Sequence, residues 1–320
     1  MPLTTSIAMC TYNGERFLQA QLDSLLTQRP LPDQIVIRDD VSSDGTGEIL
    51  AAFVPKAEAL GIVVDLQVNE RNVGYRRNFD GALRACTGEV IFLCDQDDVW
   101  HADKLSRMCA EFEARPGLLA LHSDARLIDG EGKVLPRSLF RSVGIGARQL
   151  RLMHGGEGLR LLLQRDFVTG ATMALRRRLL VVALPLPAKT WVHDAWLATL
   201  AAINGDVDSI EQMLIDYRLH DGNQLGLGGN DPVSPAARRQ IHLEQDSSGD
   251  LLVRLQELGA PASLQAVIQC KQGHMAIRSR LPRSRVRRLP LVLAELFSGN
   301  YRRFGRGVLS AAVDLVKSSR

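Results

Sequence analysis

A short apolar run that ends in three carboxylates limits what this chain can fold into more than any other stretch: residues 89–100 read EVIFLCDQDDVW. Val90, Ile91, Phe92 and Leu93 are continuous rather than alternating, the pattern of a strand buried on both faces of a mostly parallel sheet. Asp95, Asp97 and Asp98 follow at once. Ligands of open α/β sheets sit beyond the carboxyl ends of the strands, so these acids are placed to act on something bound. Three anions this close repel one another. A hard divalent cation, Mg2+ or Mn2+, relieves that repulsion and leaves coordination positions open for a phosphate. The stretch therefore reads as a metal-diphosphate site. A second, local reading is a helix start, because Asp is favoured there and an amphipathic segment over residues 102–114 comes next. That reading accounts for one or two of the acids.

Composition narrows the class. With 320 residues, 45% hydrophobic and 23% charged, the chain is long and apolar enough for a large core. A net charge of +3 is too mild to point to nucleic acid as the partner. Its distribution is uneven: acids gather before Asp250, while residues 278–306 are densely basic. Cys10, Cys86, Cys94, Cys109 and Cys270 are odd in number and form no CxxC pair, as expected of small buried residues in a reducing compartment. The start MPLTTSIAMC lacks the basic and apolar regions of a secretory signal, and no apolar run reaches the roughly 18 residues of a membrane span. A cytoplasmic location is the expectation.

Strand and helix patterns alternate on the way to the acidic stretch. Residues 5–9 predict a strand that runs into the turn Thr11-Tyr12-Asn13-Gly14, and Phe17, Leu18, Leu22, Leu25 and Leu26 follow at helical spacing. Residues 34–38 predict a second strand, DDVSSDGT a polar turn, and Ile49, Leu50, Phe53 and Leu60 another helix. A third strand over residues 63–68 leads through NERNVG to a helix ending near Ala85. This alternation predicts a parallel α/β sheet whose polar turns share one edge, the layout of a nucleotide-binding half.

Taken together, TYNG, DDVSSDGT, NVGYRRNFDGAL and FLCDQDDVW, in that order and spacing, resemble family 2 glycosyltransferases. The resemblance implies the GT-A nucleotide-diphospho-sugar transferase fold, a Rossmann-like mixed sheet flanked by helices. It divides the chain into a catalytic domain over residues 1–230, with a nucleotide-binding half to residue 100 and an acceptor half after it, and a helical region over 231–320. It also implies that Thr11, Tyr12, Asp39 and Arg71 hold the base and ribose, with Asp39 accepting a hydrogen bond from a pyrimidine ring. Asp95 and Asp97 would form the Asp-x-Asp motif, with Asp97 nearer the metal. Val41 departs from the pattern, since many members carry glycine after the paired acids. Local roles compete at several positions. Tyr12 can cover the sheet end, Asp40 and Asp44 can cap the next helix, and Asn72, Gly74 and Asn78 can shape a loop.

The second half supplies the acceptor side. His122-Ser123-Asp124 continues a strand, and residues 127–132 predict a strand closed by a hairpin turn. Residues 168–175 predict a strand opening on small residues, which suits either a sugar pocket or close helix packing. A sugar hydroxyl needs a positioned base, and the resemblance puts that base at Asp194 in WVHDAW. A helix cap is the local alternative there. Trp100, Trp191 and Trp196 suit sugar stacking or plain packing. Residues 210–214 predict a strand, and the YRLH segment beyond it is similar to one that follows the catalytic acid in the family, which would bring Arg218 to the diphosphate and His220 to the metal. Residues 225–232 are Gly-rich and suggest a loop that orders over bound donor.

From residue 235 the pattern is helical. Basic residues over 278–306 beside an apolar stretch suggest peripheral contact with the anionic inner face of a plasma membrane; a solvated basic face or a homodimer contact is the alternative. The segment YRRFGRGVLSAAVDLV is similar to the tail of bacterial rhamnosyltransferases of the family. The expectation is an inverting, metal-dependent transferase taking dTDP-β-L-rhamnose to a surface polysaccharide or lipid-linked saccharide. UDP-hexoses are the close rivals, and a non-catalytic nucleotide-sugar-binding scaffold is the rival of another class. A nucleotidyltransferase would want a basic Gly-rich loop after the first strand, and TYNGE is neither.

Overall fold

The computed structural model describes residues 2–188, 190–221 and 248–316. The Gly-rich stretch 225–232 and the helical pattern before residue 248 lie outside the described residues. Two compact units are formed, one by 1–159, 167–188 and 192–230, the other by 160–166, 189–191 and 231–320.

In the first unit β1 (Thr5–Thr11), β2 (Gln34–Asp39), β3 (Val63–Val68) and β4 (Val90–Cys94) alternate with α1 (Glu15–Leu26), α2 (Thr46–Ala59) and α3 (Tyr75–Ala85). These four strands are parallel, with Ile7 of β1 registered between Ile35 of β2 and Phe92 of β4. All five residues of β4 are buried, as its unbroken apolar run requires. Beyond β4 the sheet turns mixed. Its order is β3-β2-β1-β4-β8-β6-β9-β5, with β7 paired to β6. The added strands are β5 (Val99–Trp100), β6 (Leu118–Ile128), β7 (Val134–Ser138), β8 (Met173–Arg176) and β9 (Asp206–Arg218). β8 runs antiparallel to both β4 and β6, so its start lies beside the end of β4.

The helices between them are α4 (Lys104–Ala114), α5 (Leu139–Val143), α6 (Ala147–His154), α7 (Gly158–Leu162), α8 (Leu180–Ala183) and α9 (His193–Asn204). The second unit holds α10 (Ser248–Glu257), α11 (Ala262–Ser279), α12 (Arg285–Phe297), α13 (Asn300–Arg303) and α14 (Val308–Val316). No described helix is long and apolar enough to cross a membrane.

Three local expectations change. α4 begins six residues after Asp98, with Asp103 at its cap position, so none of the three acids starts that helix. The strand expected over 168–175 is interrupted, because Gly170–Thr172 form a 3-10 turn before β8. The strand expected over 210–214 is thirteen residues long, since β9 pairs with β6 along its length and with β5 near its end. The length of β9 comes from pairing with distant strands.

β6 also carries a buried titratable group. His122 packs on Phe140 at 5.2 Å between ring centroids, neither ring nitrogen has a partner, and burial holds its pKa down at about 4. The folded chain thus keeps this imidazole neutral where the unfolded chain, at about 6.5, takes up a proton. Between those values the unfolded state binds more protons, so stability falls as pH drops. The expected loss from this one group is roughly 3 kcal/mol between pH of about 6.5 and about 4. Urea unfolding of His122→Phe should show a shallower acid limb over that window; an unchanged limb would sink the assignment.

Candidate active site

The four parallel strands end on one edge, and the polar turns there are tied together by side chains. Asp40 accepts from the backbone N–H groups of Val73 and Gly74 and from the Asn69 amide, at 2.8 Å each. Asn78 accepts from Asn69 at 2.9 Å and donates to the Arg38 carbonyl. Asp40 therefore braces the loop after β3 and caps no helix. Asp44 does serve the start of α2, accepting from the N–H and hydroxyl of Thr46, and it also accepts from the Glu15 N–H. Asn13 joins the first two turns through bonds with Ser42 and Ser43. The turn after β4 is tied in by Gln96, whose side-chain amide exchanges bonds of 2.8 and 3.0 Å with the backbone of Tyr12. A Cβ on Gly14 would stand 2.5 Å from Gln96 Oε1, so a side chain there would push the Gln96 amide off Tyr12.

Within this frame Asp39 is buried and accepts from the hydroxyls of Thr11 and Ser42, at 2.7 and 2.6 Å, and from the Ser42 N–H at 2.8 Å. Thr11 is buried beneath it, while Tyr12 and Arg71 are exposed on the turns after β1 and β3. Val41, between the paired acids and Ser42, has φ of +62°, the left-handed region that penalises a β-branched side chain.

The acids after β4 form one electrostatic cluster. Asp95 has its pKa pushed up to about 7, first by burial and then by the charges of Asp97 and Asp194, with Lys104 opposing. Asp98 is buried and its pKa is raised, first by burial and then by the charges of Asp97 and Asp95, while the Arg218 N–H donates to it at 2.9 Å. Asp97 Oδ2 meets His220 Nε2 at 2.8 Å, and the Arg218 side chain donates from Nε to the Asp97 carbonyl at 2.8 Å. Arg218 lies over the Phe17 ring at 4.8 Å, and Phe17 touches the His220 ring at 4.6 Å between centroids. The end of β9 thereby brings Arg218 and His220 to the acids.

Asp194 sits in the first turn of α9, not at its cap position, which is Val192. Its carboxylate accepts from the Gly170 N–H at 2.8 Å and from its own neighbour Ala195 at 2.7 Å. Gly170 leaves room for this, because a Cβ there would come within 2.9 Å of His193 Nε2. His193 stacks on Phe79 at 4.1 Å with no partner on either ring nitrogen, and burial drives its pKa down to about 3. A neutral, clamped imidazole thus anchors the residue before Asp194. The tryptophans are packing residues: Trp100, Trp191 and Trp196 are all buried, and Trp196 Nε1 donates to the Ala183 carbonyl at 2.8 Å. None of them is exposed to stack on a sugar.

Two further residues at the site had little signal in the sequence. Gln96 lies between two acids and looks like a turn residue. Lys104 is fully buried, donates to the Ala171 carbonyl at 2.8 Å and lies 3.6 Å over the Trp100 ring, with burial lowering its pKa to about 7. Its spacing to Met108 and Phe112, one helical turn each, marks it as a core-facing position.

A metal fits this donor set only in part. Among the described residues no group of three His, Cys, Asp or Glu side chains is arranged to hold an ion. Asp97 Oδ2 and His220 Nε2 lie side by side, with Asp95 crowded next to them. That is a partial shell suited to a hard cation bound by one or two carboxylates and completed by phosphates.

A mixed, Rossmann-like sheet with carboxylates at the switch of strand order defines a transferase of the GT-A fold. The chain belongs to glycosyl transferase family 2, whose pattern matches residues 6–182. It is 25% identical over 281 residues to an uncharacterized glycosyltransferase of Nostoc sp., covering 86% of this chain and 83% of that protein. It is 33% identical over 100 residues to the dTDP-rhamnosyl transferase RfbG of Shigella flexneri, covering 30% of this chain and 34% of that one. Among solved structures it is similar to S. aureus TarS 1-349 in complex with UDP, with a TM-score of 0.56, 17% identity and coverage of 98% and 80%. The Pyrobaculum calidifontis mannosyltransferase PcManGT, in complex with GDP-Man and Mn2+, is similar with a TM-score of 0.55, 17% identity and coverage of 98% and 78%.

Val41→Gly relieves the left-handed strain at the turn beside Asp39 and should raise the unfolding free energy by up to about 1 kcal/mol, read as a higher Tm. A lower Tm would mean that the valine side chain stabilises this turn by packing.

Proposed function

We propose that this chain is an inverting, metal-dependent glycosyltransferase that passes a hexosyl group from a nucleoside diphosphate to a saccharide hydroxyl. The observation that carries the reading is geometric: Asp97, paired with His220, follows β4, and Asp194 is held by Gly170 just ahead of β8, the strand that pairs with β4. An acceptor base and a phosphate-facing acid pair are what direct displacement requires at a single centre. The Gly170 and Ala195 N–H groups fix the Asp194 carboxylate. From there it takes the acceptor proton as the hydroxyl oxygen bonds to the anomeric carbon. The bond from that carbon to the diphosphate oxygen breaks on the opposite face, which inverts the configuration.

Mg2+ or Mn2+, held by Asp97 with Asp95 and His220, would neutralise the leaving diphosphate. PcManGT, solved with GDP-Man and Mn2+, supports both the metal and the nucleotide-sugar donor. Arg218 adds positive potential from beneath Asp97. Thr11, Tyr12, Asp39 and Arg71 are assigned to the base and ribose. Thr11 and Asp39 act there mainly by holding the turn, because the Thr11 hydroxyl is spent on Asp39.

For the donor, the match to RfbG favours dTDP-β-L-rhamnose, which inversion would turn into an α-linkage on a bacterial surface polysaccharide or lipid-linked saccharide. TarS, solved with UDP and with UDP-GlcNAc, favours a UDP-hexose as the alternative. The site of action in this reading is the cytoplasmic face of the plasma membrane.

Calorimetry with dTDP-rhamnose, UDP-glucose and UDP-N-acetylglucosamine, with and without Mn2+, tests the reading: one of them should bind in a metal-dependent way. Asp97→Ala should abolish that metal dependence. Asp194→Asn should keep donor binding and lose transfer by roughly 100-fold or more. Full transfer by Asp194→Asn removes the proposed base, and donor binding without any turnover in the parent chain would favour a non-catalytic binding role.

A further inference from the structure

In the second unit, two helices bury charged residues beside a single apolar one each and leave an apolar stripe exposed. On α12 the inward positions are Arg288, Val292 and Glu295, all buried. Positions 286, 289, 293 and 297, at spacings of three and four, form the outward stripe, with Val286 82% and Phe297 84% exposed. α14 repeats the pattern. Asp314 is completely buried, while Val308, Leu309, Val313 and Val316 are exposed, Val308 and Leu309 by 68% and 67%.

The inward groups pair with one another and with nearby backbone carbonyls. Arg288 donates to the carbonyls of Pro282, Arg283 and Asp314, and Arg278 Nε and the Tyr301 hydroxyl both reach Asp314 Oδ2, at 2.7 and 2.8 Å. Glu295 Oε2 accepts from Asn300 at 2.9 Å and meets His274 Nδ1 at 2.5 Å. Such a network holds α12 and α14 in register, because turning either helix to hide its apolar stripe would strand a buried charge. The apolar faces are therefore built in.

Charge identifies what covers them. Of the eight arginines from residue 280 to 306 only Arg288 is buried, and Glu295 is the one acid in that stretch and is buried as well. A second copy of this face would set arginine against arginine. An anionic lipid surface complements both the arginines and the apolar stripes. We propose that α12 and α14 form a membrane-docking surface that inserts Phe297, Leu293, Val286 and the outward valines and leucine of α14 among acyl chains, while the exposed arginines bind lipid phosphates. This deepens the location given above and rests on it only for which membrane is met, since docking requires neither donor nor metal.

Flotation of the full chain with vesicles provides the test. Vesicles of phosphatidylcholine with phosphatidylglycerol should carry the protein, those of phosphatidylcholine alone should not, and added salt should weaken the binding. L293E with F297E should lower the bound fraction roughly tenfold with the circular dichroism spectrum unchanged. Arg283→Glu with Arg287→Glu, which alters no side chain of the inward network and keeps the Arg283 carbonyl that Arg288 uses, should also weaken it. Undiminished binding by both double variants, or no binding of the parent to anionic vesicles, overturns the proposal. So does a parent dimer that L293E with F297E converts to monomer, which would assign the face to a second copy. Metal-dependent nucleotide binding, measured on the same samples, separates failure of docking from failure of the transferase reading.

Discussion

Carboxylate crowding at the end of β4 is the constraint on which the catalytic unit depends. Asp95, Asp97 and Asp98 leave the strand within four residues, and α9 adds Asp194 to the same field. Burial raises the cost of each charge, so the surrounding structure offsets it with specific groups. Lys104 comes from α4 and is itself driven toward neutrality at about 7. Arg218 and His220 arrive from the end of β9. The antiparallel β8, by setting Gly170 and Ala171 next to β4, links Lys104 to one residue and Asp194 to the next. Buried carboxylates crowded in this way favour any group that brings positive charge.

The loops that would receive a nucleotide are organised by the opposite device, neutral or capped hydrogen bonds. Asp40, Asn13, Asp44 and Gln96 cross from turn to turn and lock four strand ends into one surface. Val41 shows what that precision costs, since the turn keeps a left-handed conformation even with a β-branched residue in it. In the helical unit charged groups share the interior with a small apolar cluster around Val292, Tyr301 and Ala311, while part of the apolar surface of α12 and α14 stays outside. Two sets of polar contacts hold those helices as they are, Arg278 and Arg288 on Asp314 and His274 with Asn300 on Glu295.

The alternation of β1 to β4 with α1 to α3 was legible from periodicity, because each element buries a face set by its own residues. The acidic turn after β4 was legible for the same reason, its strand being apolar throughout. The packing of the tryptophans, the loop-bracing role of Asp40 and the burial of Lys104 were not. In each case the partner belongs to another element: Asn69 and Val73 for Asp40, Ala171 for Lys104, and Ala183, 13 residues away, for Trp196.

By itself the sequence determined the class of fold, the edge on which the acids lie and the family to which the chain belongs, since these follow from local patterns repeated in order. Tertiary structure alone decided that Asp194 shares a field with the acids of β4, that His220 sits on Asp97, and that α12 and α14 face outward with their apolar side. Such features depend on strand order and on long-range pairing of buried charges. Neither is carried by the periodicity of any single segment.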